Sequence, residues 1–233
     1  MRTALQFINQ MIIDWVGVHG PPPKIAMAGF VPAPGCPWCG GTLLIQPCPC
    51  IARKRPWNRL VRLGPYVPPL SSCLAEGKYT AWPEVLDLIG AELGRAVLPF
   101  VQSRAIVVPV PMPLIRRLSR RIDHAAVLAN AVARVLRRPM RSPIWRCWSP
   151  PQASRTAAQR RTLRRKDFRL WQPYAIRARP IVLVDDVLTS GKTLELVSRL
   201  LRKGGSGPII AAVAAVADPA SNQIIGGGGL PAG

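Results

Sequence analysis

From Ile181 to Leu201 the chain reads as an apolar strand, a short polar loop and a helix, an order that restricts the fold more than any other stretch. Ile181-Val-Leu-Val184 is a run of β-formers with no polar interruption, as in a buried strand. Asp185 and Asp186 follow directly, and Leu194 to Leu201 then repeats its apolar residues at helical spacing. Between them Thr189, Ser190, Gly191, Lys192 and Thr193 supply hydroxyls and a backbone free to bend. A loop that opens a helix presents N–H groups with no intrahelical partner, and these favour a phosphate. Two adjacent carboxylates repel phosphate but accept hydrogen bonds from sugar hydroxyls or approach Mg²⁺. Phosphate beside diol is the layout of a ribose 5-phosphate.

Ser190-Gly191-Lys192-Thr193 also matches the end of a Walker A loop, which needs a glycine five residues before its second one. Asp186 stands there, an anion where the loop must wrap phosphates, and this excludes Walker A. The plainer alternative is a strand–turn–helix with a solvated acid pair. The segment resembles the phosphoribosyl-diphosphate (PRPP) motif of type I phosphoribosyltransferases: apolar strand, two acids, three residues, then small-Gly-x-Thr. The resemblance implies that Asp185 and Asp186 contact the ribose hydroxyls, with Mg²⁺ arriving on PRPP. It also implies that Thr189, Ser190, Gly191, Lys192 and Thr193 hold the 5-phosphate.

The 233 residues suffice for one α/β domain plus a small appendage, and no apolar run reaches membrane-spanning length. Residues 1–20 show a helical apolar pattern interrupted by Asn9, Gln10 and Asp14, with no small-residue cleavage site, so they read as a packed or frayed helix and not a signal peptide. The expected compartment is the cytoplasm. Net charge is +21, and 19 of the 32 Lys and Arg lie between Arg104 and Arg179 against two acids, Asp123 and Asp167. Such density attracts polyanions, either DNA or single-stranded nucleic acid or a triphosphate-like substrate; the bland alternative is a solvated arginine face. No aromatic interleaving of the kind that makes a single-strand stacking platform is legible.

Along the chain, residues 1–34 read as a helix and Pro-rich linker, 35–63 as a compact cysteine element with a basic lead-out, 64–217 as the main domain and 218–233 as a disordered Gly-rich tail. Leu70 to Leu98 reads as helices, Ile106 to Val110 as a strand and Ala125 to Arg138 as the clearest helix. Arg141 to Pro180 is Pro-punctuated and reads mostly as loop. Strand Ile181 to Val184, helix Thr193 to Arg202 and strand Ile209 to Val216 make a β-α-β unit. Strands alternating with helices predict a parallel sheet with ligands at the strand carboxyl ends.

Cys36-x2-Cys39-x8-Cys48-x-Cys50 places four thiols within fifteen residues, with Gly40-Gly41 after the first pair. Four thiolates suit tetrahedral Zn²⁺ in a zinc-ribbon-like element, and the alternative is a metal-free remnant. Cys73, Cys147 and the two histidines, His19 and His124, are isolated.

A four-cysteine element ahead of a PRPP motif resembles the ComF family, competence-associated phosphoribosyltransferase-like proteins that include the GntX group. The similarity runs over most of Cys36 to Ala217. Leu63-Gly-Pro-Tyr66, Gly77-Lys-Tyr79, Val108-Pro-Val-Pro111, Arg116-Arg-Leu118, Ile122-Asp-His124 and Pro150-Pro-Gln152 followed by Arg160-Arg161 and Phe168 carry it. By that resemblance Arg116 and Arg117 hold pyrophosphate, and Gln152, Arg160 and Arg161 belong to a mobile loop. Arg121 stands where the family commonly has Gly, and Leu163 where an Asn is expected. The resemblance implies a type I phosphoribosyltransferase fold: a parallel sheet flanked by helices, with the four-cysteine element appended. As an enzyme such a protein would release pyrophosphate from Mg²⁺-PRPP and pass the phosphoribosyl group to an amine or a base. The rival reading is a non-catalytic DNA-uptake accessory that retains the fold, with PRPP absent or only regulatory.

Overall fold

The computed structural model describes residues 33, 35–42, 48, 50, 55–79, 83–112, 122–146 and 167–217. Within them a four-stranded, wholly parallel sheet forms, built of β1 (Arg59–Pro65), β2 (Ile106–Pro109), β5 (Ile181–Leu188) and β6 (Ile209–Val216) in the order β1-β6-β5-β2. The alternation of side chains along β5 divides the core. Val182 and Val184 join one buried cluster with α1 (Leu70–Tyr79), α2 (Pro83–Val97) and α3 (His124–Leu136). Ile181 and Leu183 join the other, with α4 (Lys192–Lys203) through Leu194, Val197 and Leu201. A strand covered on both faces can carry no polar residue until it leaves the core, which is why the run from Ile181 to Val184 was so legible. Each such fully buried aliphatic side chain contributes about 1.5–3 kcal/mol.

The structure lengthens and adds to the expected elements. β5 continues past Val184 to Leu188, so the acid pair lies in strand and not in loop, because β6 goes on pairing with it through Val187↔Ala215 and Leu188↔Val216. α4 begins one residue earlier, at Lys192. α3 ends at Leu136, where Arg137 turns left-handed (φ 52°) and its N–H closes on the Ala133 and Arg134 carbonyls. β1 occupies part of the supposed basic lead-out and runs across position 63, where the sequence suggested the start of the main domain. Its signature was masked by Arg62, which is 3% exposed yet sits in mid-strand. The Arg62 guanidinium donates to the Ala33 carbonyl (Nε, 3.3 Å) and the Thr42 hydroxyl (3.1 Å), which offsets the cost of its burial. In the stretch read as loop, β3 (Ile144–Arg146) and β4 (Phe168–Leu170) pair antiparallel as a short ribbon. Residues 1–32, the tail 218–233, Arg121, Cys147 and Leu163 lie outside the described residues.

Candidate ligand site and metal centre

Two neighbouring strands send their helices to opposite faces of the sheet. β2 leads to α3 on one face and β5 to α4 on the other, so a crevice opens between their carboxyl ends. The β2–β5 ladder stops at Pro109↔Val184, closed by the Val110 N–H donating to the Val184 carbonyl at 2.8 Å. Beyond that point β5 keeps β6 as its neighbour but has lost β2. Asp185 and Asp186 stand there, each half-buried. The Asp185 carboxylate accepts the Asp186 N–H at 2.9 Å, and the Asp186 carboxylate accepts the Val187 N–H at 2.6 Å. These bonds hold both carboxylates against the strand.

Thr189 and Ser190 follow as an exposed turn, and Gly191 precedes α4 with φ 74°. That left-handed backbone favours glycine, and any side chain there costs about 1–2 kcal/mol. Gly191 offers no side-chain cap to α4. The first-turn N–H groups of Lys192, Thr193 and Leu194 therefore point toward the loop, with the positive end of the helix dipole behind them. The Lys192 N–H meets the Ser190 hydroxyl only at 3.5 Å. Carboxylates on the strand and anion-seeking N–H groups on the helix thus stand six residues apart, as the sequence suggested.

The cysteines converge as well. The sulfurs of Cys36, Cys39, Cys48 and Cys50 all lie within 4.8 Å of one another, with Cys36 opposite Cys50 at 3.4 Å and Cys39 opposite Cys48 at 3.7 Å. Tetrahedral zinc with Zn–S bonds of about 2.3 Å sets its sulfurs about 3.8 Å apart, so the donor set fits a metal ion with little adjustment. A tight knuckle shapes it: the Gly40 N–H donates to the Cys36 carbonyl at 2.8 Å and the Cys36 N–H to the Gly41 carbonyl at 2.9 Å. Gly40 has φ 73°, and a Cβ there would stand 2.6 Å from Leu60. Burial opposes charging Cys36, yet the N–H groups of Cys39 and Trp38 and the thiols of Cys50 and Cys48 outweigh it and bring its pKa from 9.0 down to about 7. Cys39 is raised, by burial above all and against the Gly41 N–H that donates to its sulfur at 3.3 Å. Burial, then the crowding thiols, push Cys50 far above the ordinary thiol range. The Cys36 thiolate forms readily while Cys39 and Cys50 resist ionisation, and a divalent cation held by the sulfurs would favour their thiolate forms.

The knuckle is docked beside the loop. The Leu60 N–H donates to the Pro37 carbonyl at 2.6 Å, and the Trp57 indole N–H to the Trp38 carbonyl at 2.8 Å. A cavity of about 250 Å³ separates Cys39, Gly41, Arg55 and Trp57 from Thr189, Ser190 and Gly191. Arg55 reaches across to pair with Glu195 in the first turn of α4, with its guanidinium 5.5 Å from the Trp57 ring centroid. Sequence reasoning missed Arg55 and Trp57 altogether. Nothing local marks them, because Arg55's partner Glu195 lies 140 residues away and Trp57's partner Trp38 lies 19 away.

On the β2 side the described chain runs through Pro111 and Met112 and resumes at Ile122. Asp123 caps α3, its carboxylate accepting the Ala126 N–H at 3.1 Å, and His124 begins the helix buried. A cavity of about 330 Å³ lies between Met112, Asp123 and Met140 and the ribbon residues Trp145, Arg146 and Trp171. Arg116, Arg117, Gln152, Arg160 and Arg161 lie outside the described residues.

A family model described as "Phosphoribosyl transferase domain" matches residues 98–223, just over half of the chain. The DNA utilization protein YhgH of Escherichia coli O157:H7 is 29% identical over 194 residues, covering 75% of this chain and 80% of that protein. Competence protein F of Haemophilus influenzae is 29% identical over 187 residues, covering 74% of this chain and 80% of that protein. The chain belongs to the phosphoribosyl transferase domain family. Among solved structures, the allosteric regulatory enzyme of purine biosynthesis aligns with 60% of this chain and 30% of its own length, at 16% identity and a TM-score of 0.42. Among the described residues, no helix is long and apolar enough to cross a membrane.

Proposed function

We propose that this protein binds Mg²⁺-PRPP in the crevice between β2 and β5 and is built to release pyrophosphate from it, passing the phosphoribosyl group to an amine or base. The arrangement that carries this reading is the half-buried acid pair at the end of β5 followed at once by an uncapped helix N-terminus. Asp185 and Asp186 would accept the ribose hydroxyls, and charge-assisted hydrogen bonds of this kind contribute about 1.5–3 kcal/mol each. Thr189, Ser190, Gly191, Lys192 and Thr193 would hold the 5-phosphate through N–H groups, hydroxyls and the helix dipole. Arg116 and Arg117, by the resemblance, would clamp the departing pyrophosphate, and Gln152, Arg160 and Arg161 would cover the site and exclude water. Bound Mg²⁺ supplies countercharge for the diphosphate. The chain's own work is positioning and electrostatics, and such a displacement needs no nucleophilic side chain.

The cysteine set is read as a structural Zn²⁺ site, Cys36, Cys39, Cys48 and Cys50, whose knuckle backs the 5-phosphate loop. A second reading, binding of DNA with PRPP absent or regulatory, draws on the basic density between Arg104 and Arg179 and on the names of the relatives. Calorimetry with PRPP and Mg²⁺ separates the two. Saturable, Mg²⁺-dependent heat that vanishes in Asp185→Ala/Asp186→Ala supports the first; absence of heat at millimolar PRPP from folded protein leaves the second.

A further inference from the structure

Strand alternation on the β3–β4 ribbon produces a surface that the linear sequence conceals. Ile144 and Arg146 on β3, with Leu170 and Phe168 opposite them, face the core, where Ile144 and Phe168 are buried and Leu170 packs against them. The Arg146 guanidinium lies 5.2 Å from the Phe168 ring centroid on that side. The other side carries Trp145, paired directly with Arg169, and Trp171, two residues further along. The Trp171 N–H donates to the Pro143 carbonyl at 3.0 Å, so the ladder extends to it and it is the diagonal neighbour of Trp145. Its indole N–H donates to the Ser142 carbonyl, also at 3.0 Å, which holds the ring in one orientation. Trp145 is 56% exposed and Trp171 59%, whereas Trp57, packed in the core, is 3% exposed.

Two exposed indoles beside an arginine, one of them fixed, are costly to leave in water unless something covers them. We propose that Trp145, Arg169 and Trp171 form a stacking ledge for single-stranded nucleic acid. Every unpaired base has a π-face that an indole can cover, and a guanidinium beside the rings meets the adjoining phosphate or stacks in turn. The charge around the ledge matches such a partner: Arg141 and Arg169 are exposed, and the chain as a whole carries +21. A duplex keeps its bases stacked inside and offers the indoles nothing. A free nucleobase would sit in a closed pocket that buries most of its surface. This ledge is open, rimming the cavity of about 330 Å³ that faces Met112 and Asp123. The inference rests on the nucleic-acid reading above and is independent of the PRPP reading.

The test is fluorescence anisotropy of labelled oligothymidylate bound by the full chain, titrated at several salt concentrations. Trp145→Ala and Trp171→Ala should each weaken binding by about tenfold or more with the salt dependence unchanged, since stacking releases no counterions. Trp145→Phe and Trp171→Phe keep a ring and should recover most of the loss, which mere disturbance of the ribbon would not allow. Arg169→Ala should make the salt dependence shallower by about one ion. Both indoles are solvent-facing, and far-UV circular dichroism checks that the variants fold. Wild-type affinity in both alanine variants would overturn the ledge while leaving charge-driven binding intact. Equal affinity for duplex, or competition by free thymidine at the same concentration as the oligomer, would overturn it too. No binding by the unaltered chain would remove the nucleic-acid reading itself.

Discussion

The carboxyl edge of the sheet has two halves built on different terms. At the β5–β6 half the acid pair, the phosphate-seeking loop and the knuckle are contiguous or locked together, with Trp57 buried and Arg55 tied to Glu195. At the β2 half the described chain offers a capped helix, an open cavity and two exposed indoles. One half combines an acid pair with an uncapped helix N-terminus; the other presents exposed rings beside a cavity. Variants of Trp145 or Trp171 should leave PRPP binding unaffected, and variants of the acid pair should leave oligonucleotide binding unaffected.

The sharpest break of that division is Asp185→Ala/Asp186→Ala. Loss of two charge-assisted hydrogen bonds at about 1.5 kcal/mol each predicts a fall in PRPP affinity of at least about a hundredfold by calorimetry, with oligonucleotide binding unchanged. Parallel loss of both ligands would merge the two halves into one site. Metal removal comes next. Purified protein should carry about one equivalent of zinc by elemental analysis, consistent with four thiolate ligands. Chelation, or Cys39→Ser, should lower Tm by about 4–8 °C, as expected of about 2 kcal/mol in a chain of this size, and weaken PRPP through the unbacked loop. Unchanged PRPP affinity in the metal-free protein would show that the knuckle only adjoins the loop.

Smaller effects refine the comparison. Gly191→Ala should weaken PRPP by about fivefold to thirtyfold for the 1–2 kcal/mol of left-handed strain it introduces. Its Tm should move little if the strain is relieved by loop rearrangement. Cys73, 1% exposed between helix and sheet, has its thiol pKa raised above 9.0 by burial and then by Glu76. Its folded pKa being the higher, its contribution to stability is constant below pH 9 and is lost as pH rises beyond it. Urea midpoints between pH 7 and 10 should therefore fall only at the alkaline end. Maleimide should reach Cys73 only on unfolding.

How much of this could be read from the sequence follows the range of the interactions. The Ile181–Thr193 segment was legible because strand burial, acid pair and helix opening lie in one short stretch. The cysteine spacing was legible for the same reason. β1 was hidden by Arg62, whose partners Ala33 and Thr42 lie 29 and 20 residues away. The ribbon was hidden by prolines and by a long interval between its strands. The ledge depends on Trp145 and Trp171 meeting across that ribbon, so no window of sequence could show aromatic interleaving. The knuckle's seat beside Thr189 to Gly191 is a tertiary fact that neither motif announces.

The central claim is that one crevice, at the ends of β2 and β5, takes PRPP. Amide hydrogen exchange with and without Mg²⁺-PRPP locates the ligand directly. The account predicts slowed exchange across Asp185 to Glu195 and around Val110 to Met112, abolished in the Asp185→Ala/Asp186→Ala variant, with the β3–β4 ribbon unaltered. Protection centred on the ribbon, or saturable binding without protection of the Asp185–Glu195 segment, would contradict it.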